Sequence, residues 1–107
     1  MGTEEVMEKN DHWPLNELKI KGYLSQMSGW EHSGEAIVKT FTFKNFYETI
    51  SFVNALAFIA NQENHHPELA VGYKTCRVSY TTHSIGGLSE KDFVCAAKID
   101  GLLKFKA

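Results

Sequence analysis

The chain is poor in the features that mark specialised protein classes. It has only two cysteines, Cys76 and Cys95, and they form no CxxC pair. That spacing favours two buried free thiols in a reducing compartment over a disulfide framework. No charge dominates: 11 Lys and Arg are interleaved with 13 Asp and Glu, for a net charge of −2. An electrostatic footprint for nucleic acid or an anionic membrane is therefore absent. No apolar run approaches the roughly 20 residues of a membrane span. The first residues are polar and acidic, without the apolar core of a signal peptide. Internal repeats and low-complexity segments are lacking too. The expectation is a cytoplasmic protein that touches neither membrane nor nucleic acid directly.

What is present suits one globular domain. The 107 residues are 43% hydrophobic and 22% charged, enough to bury one core without metal or disulfide support. A polar leader, 1–14, is expected ahead of a domain over 15–107. Helix one is predicted over 16–27, with Ile20, Leu24 and Met27 inward and Gly29 as its stop. Residues 30–33 and 36–43 read as a hairpin turning at Ser33, Gly34 and Glu35, although Lys39 breaks the alternation. Helix two is predicted from 45 or 46 to between 61 and 64. Phe46, Ile50, Val53, Ala57 and Ala60 follow helical spacing and are expected to be its buried face. Phe52, Leu56 and Ile59 make a second apolar row, expected to pack against another subunit.

Residues 68–72 could form a short strand. The clearest strand is 74–82, with Cys76, Val78 and Tyr80 on one face and Thr75, Arg77, Ser79 and Thr81 on the other. Residues 85–88 read as a turn. Helix three starts at Ser89, which with Asp92 matches the S-x-x-D start pattern, and Cys95, Ala96, Ile99, Leu102 and Leu103 form its inward stripe. The order α-β-β-α-β-β-α predicts an α+β two-layer domain, with three helices covering one face of a four-stranded antiparallel sheet.

The chemistry concentrates in His65-His66-Pro67 and in His83, which supply three of the five histidines. Histidine exchanges a proton near neutral pH. Adjacent histidines share no face of a regular element, and a residue before proline is pushed toward extended backbone. A loop feeding a pocket, met by the end of the strand that carries His83, fits that constraint. Zinc is disfavoured, because no HxH, HExxH or HxxxH sets two ligands on one face. Cys76 faces the core and no GxSxG elbow exists, which argues against a nucleophile. Gly86-Gly87 suits a turn rather than a phosphate loop. Acid–base chemistry remains.

Five residues separate His65-His66-Pro67 from Tyr73, nine more lead to His83, and eight more to Asp92. With Trp30 ahead of the hairpin, Phe43-Lys44-Asn45-Phe46 and Gly87-Leu88-Ser89, this gapped pattern resembles that of the pterin-4a-carbinolamine dehydratase family. The likeness runs over roughly 16–103. One departure is Asn61, where the family pattern has a charged residue four positions before His65.

The resemblance implies dehydration of a 4a-hydroxytetrahydropterin to the quinonoid dihydropterin, in support of pterin recycling for aromatic amino acid hydroxylases. No cofactor is expected, since the pterin is the substrate. By the same resemblance His65 and His83 are the acid–base pair and His66 binds or assists. Pro67 shapes the wall, and Thr82, Ser84 and Ile85 contact the pterin. Asp92 would hold a histidine tautomer, with Trp30 and Tyr73 in support. A homodimer or homotetramer is implied. The alternative is a non-catalytic pterin-binding module, or a dimerisation or transcriptional-coactivator module.

Overall fold

A computed structural model describes residues 13–104. Most of the expected leader, 1–14, thus lies outside the described residues. Helix α1 (Glu17–Leu24) is started by Asn16, whose side chain accepts from Lys19 N at 2.9 Å, one of the few ways to satisfy an orphan helix N–H. It stops at Leu24, and Met27 follows in turns (Met27 N to Leu24 O, 3.0 Å) rather than in the helix. Strands β1 (Glu31–Ser33) and β2 (Ala36–Thr42) form the hairpin, with Gly34 at φ +62°. Helix α2 (Phe46–Glu63) is capped by Asn45, which accepts from Glu48 N at 2.8 Å. Strands β3 (Glu68–Val71) and β4 (Thr75–Tyr80) precede a 3-10 turn at His83–Ile85 and helix α3 (Glu90–Gly101).

The strands make one antiparallel sheet in the order β1-β2-β4-β3. Ile37 pairs with Tyr80 and Phe41 with Cys76 across β2 and β4, so one sheet face is continuous apolar surface. Helices cover that face. Phe52 of α2 meets Phe41 and Phe43 at ring separations of 4.7 and 5.0 Å. The expected α-β-β-α-β-β-α two-layer fold is the observed one. Lys39, the residue that broke the β2 alternation, lies in register with Ile37 and Phe41. Its ammonium is satisfied by Asp100 at 2.8 Å and Ser28 O at 2.7 Å, and stands 4.9 Å from the centre of the Phe41 ring. A cation on the core side is tolerable because it is paired.

Helix α2 corrects the sequence reading. Its buried residues are Thr49, Phe52, Leu56 and Ala60. The row expected to face a partner is thus mostly the core row: Phe52 and Leu56 are buried and Ile59 is half-buried. Phe46 and Ala57 from the other row are exposed, and Ile50 and Val53 are half-buried.

Candidate active site

The site begins where α2 ends. Asn64 adopts the left-handed conformation at φ 53° and ψ 43°. The N–H of His65 returns to Ala60 O at 3.0 Å, while Asn64 N donates to Asn61 O at 3.2 Å. This is the Schellman closure of a helix end. It throws His65 off the axis of α2 toward the end of β4, and the His65 ring stacks on the Tyr80 ring at 5.1 Å and 26°.

The second wall is the start of α3. Ser89 and Asp92 form the expected capping box. Asp92 Oδ2 accepts from Ser89 N at 2.9 Å and from the Thr82 hydroxyl at 2.8 Å. Its other oxygen, Oδ1, lies 2.5 Å from His65 Nε2. Asp92 is 0% exposed, and three donors converge on it, as a buried carboxylate requires. A carboxylate only accepts, so Nε2 carries the proton and Nδ1 is left as the ring nitrogen available to a ligand.

The third wall is the 82–87 loop. Thr82 N donates to Gly87 O at 2.9 Å, and Gly86 takes φ 69° to close the turn. Gly87 is a close approach: a Cβ there would stand 2.7 Å from Cβ of Pro14. These walls enclose a cleft of about 280 Å³ lined by His65, Thr82, Ser84, Ile85, Ser89 and Lys91. A larger hollow of about 380 Å³ lies between α2 and the end of α3. Apolar residues dominate its wall, and its one carboxylate, Glu48, accepts from Lys44 N beside the α2 cap. Of the three candidate histidines, His65 lines the smaller cleft.

Of the residues singled out from sequence, His65, Thr82, Ser84 and Ile85 line this cleft, and Asp92 supports it from below. His83 stands between two lining residues and is exposed; His66 is exposed and Pro67 half-buried beside His65. Two others lie elsewhere. Trp30 is in the core, its indole N–H donating to Asp100 at 3.0 Å. Tyr73 stacks on Phe46 at 5.8 Å at the far end of α2. Sequence reasoning missed Ser89 and Lys91 as lining residues, although the capping-box spacing around them was in view. Burial pushes the thiols of Cys76 and Cys95 up from their ordinary range, which keeps them protonated and poor nucleophiles. Among the described residues no three His, Cys, Asp or Glu side chains are grouped to hold a metal ion. Within them, too, no helix is long and apolar enough to cross a membrane.

Comparison with known proteins decides the family. The family description "Pterin 4 alpha carbinolamine dehydratase" matches residues 13–102. The chain belongs to that family of hydro-lyases. It is 54% identical to a protein of Nitrosospira multiformis named as a pterin-4-alpha-carbinolamine dehydratase, over 85% of this chain and 80% of that one. A protein of the same name from Bdellovibrio bacteriovorus is 49% identical over 95% of this chain and 91% of its own. The crystal structure of a transcriptional coactivator/pterin dehydratase from Brucella melitensis superposes with a TM-score of 0.81 at 32% identity, covering 83% of this chain and 97% of that one. A pterin dehydratase-like RuBisCO assembly factor of the alpha-carboxysome shares the fold, with a TM-score of 0.60 at 22% identity over 70% of this chain and 87% of its own.

Proposed function

We propose that this member of the dehydratase family eliminates water from a 4a-hydroxytetrahydropterin by histidine acid–base catalysis. The C4a–O bond breaks, the hydroxyl leaves as water with an added proton, and the N5 proton is lost to give the quinonoid dihydropterin. No electrons are exchanged with a cofactor, because the pterin is the substrate. His65 on the wall of the cleft of about 280 Å³, paired with the buried Asp92 behind it, carries this reading. Asp92 on Nε2 leaves Nδ1 to take a proton and offsets the positive charge that the ring then bears. His83 is the second proton carrier, and His66, Pro67, Thr82, Ser84 and Ile85 bind and shape the ligand. The reaction serves pterin recycling, in a cytoplasm where Cys76 and Cys95 remain the free thiols they are here.

The test is the rate of 4a-hydroxytetrahydropterin dehydration followed by absorbance. His65→Ala is expected to lose about 10²–10⁴-fold in kcat, the range for one general acid or base, and His83→Ala should lose activity as well. A folded wild-type protein that does not exceed the spontaneous rate would end the catalytic reading.

The outer face of α2 supports self-association into a dimer or tetramer. Phe46 is 46% and Phe58 66% exposed, and Ile50 and Ala57 continue the apolar surface between them. The coactivator role in the name of the Brucella protein makes a partner-binding module the second reading, and this surface is the one it would use. Ile50→Glu is expected to lower the mass in sedimentation while the fold stays intact. An unchanged mass would remove α2 from the interface.

A further inference from the structure

We infer that Tyr80 is a positioning residue for the reaction, holding the His65 backbone through its hydroxyl and the His65 imidazole through its ring. The inference rests on the dehydratase reading above and deepens it. Tyr80 is the last residue of β4 and is 0% exposed. A phenylalanine or leucine would fill such a position without bringing a polar atom into the core. Burying a hydroxyl is unfavourable unless it finds a partner, and the partner here is a site residue. The Tyr80 hydroxyl donates to His65 O at 3.1 Å, while its ring lies against the imidazole at 5.1 Å. One side chain thus holds His65 at two points.

These constraints are complementary. The Schellman closure aims the chain at His65, and Asp92 grips one ring nitrogen. A single hydrogen bond leaves the ring free to tilt about the axis through Nε2. Stacking on Tyr80 fixes the plane, and the hydroxyl fixes the peptide unit that carries the side chain. Burial pushes the Tyr80 phenol above its ordinary range, so the hydroxyl keeps its proton and donates it to His65 O.

The experiment compares wild type with Tyr80→Phe, which keeps every ring contact and removes only the hydroxyl. Two readouts are taken: kcat and KM for pterin dehydration, and solvent exchange of the His65 Nε2 proton by NMR on ¹⁵N-histidine-labelled, ligand-free protein. Tyr80→Phe is expected to remain folded by circular dichroism and to lose about tenfold in kcat with KM within about twofold, the pattern of a misplaced transition-state group. Its Nε2 proton should exchange at least about fivefold faster, as expected on losing a bond of roughly 1 kcal/mol. A folded variant with wild-type kcat and wild-type exchange overturns the inference. A parallel rise in KM without loss of kcat also overturns it, since that would be a binding defect. If wild type itself lacks dehydratase activity while Tyr80→Phe still speeds exchange, positioning stands and the dehydratase reading falls.

Discussion

Asp92→Asn should leave a folded protein with turnover lowered about a hundredfold. The carboxylate serves three donors: Ser89 N and the Thr82 hydroxyl on one oxygen, His65 Nε2 on the other. An amide has only one acceptor oxygen. If that oxygen stays with Ser89 and Thr82, the amide NH₂ confronts Nε2–H, donor against donor. The imidazole escapes by moving its proton to Nδ1, and the lone pair that would accept the substrate proton is gone. If the oxygen turns to His65 instead, the NH₂ confronts Ser89 N–H, and half of the α3 capping box is lost at about 1 kcal/mol. Both arrangements also leave a buried group poorly satisfied, so about 1–3 kcal/mol of stability should go with the activity. Steady-state kinetics and urea unfolding read the two effects separately. Turnover within threefold of wild type would show that Asp92 only starts a helix.

Leu56→Glu is expected to abolish the fold. Leu56 is 1% exposed and packs in the core formed with Phe41, Phe52, Val78 and Ile99. Removing its side chain from that environment costs about 2–3 kcal/mol in lost burial. A carboxylate left without a partner adds several more, or forces itself out of the core. Together they rival the roughly 5–15 kcal/mol that holds an ordinary domain together. Circular dichroism should show an unfolded chain at temperatures where Ile50→Glu, on the outer face of the same helix, is intact. A cooperative wild-type-like melt for Leu56→Glu would mean that α2 packs the other way round.

That contrast shows why the helix was harder to read than the strand. In β4 the alternation of Cys76, Val78 and Tyr80 with Thr75, Arg77 and Ser79 leaves one possible inner face. Helix α2 is apolar round most of its circumference, so spacing alone supports two rows. The row that wins contains Thr49, which is fully buried because its one hydroxyl proton has two acceptors in reach, Asn45 O and Tyr73 O, each at 3.0 Å. A polar residue at the head of that row turned the reading away from it as the core face, and one of the two partners that make it tolerable, Tyr73 O, comes from a turn 24 residues away. Lys39 is the same lesson in β2, where Asp100 of α3 makes the inner position acceptable.

The sequence by itself determined the order of the elements, the S-x-x-D start of helix three at Ser89, and the gapped histidine pattern that resembles that of its family. Those features are local, or depend on spacing alone. Only the tertiary structure decided that His65 is the histidine that meets Asp92, that Nε2 is the nitrogen engaged, and that Tyr80 lies against the ring. It also separated Trp30 and Tyr73 from the cleft and brought Lys91 to its edge. The physical reason is that a hydrogen bond between α3 and the residue just past α2, or a ring stacked from β4, depends on the angles at which elements pack. No spacing along the chain encodes those angles.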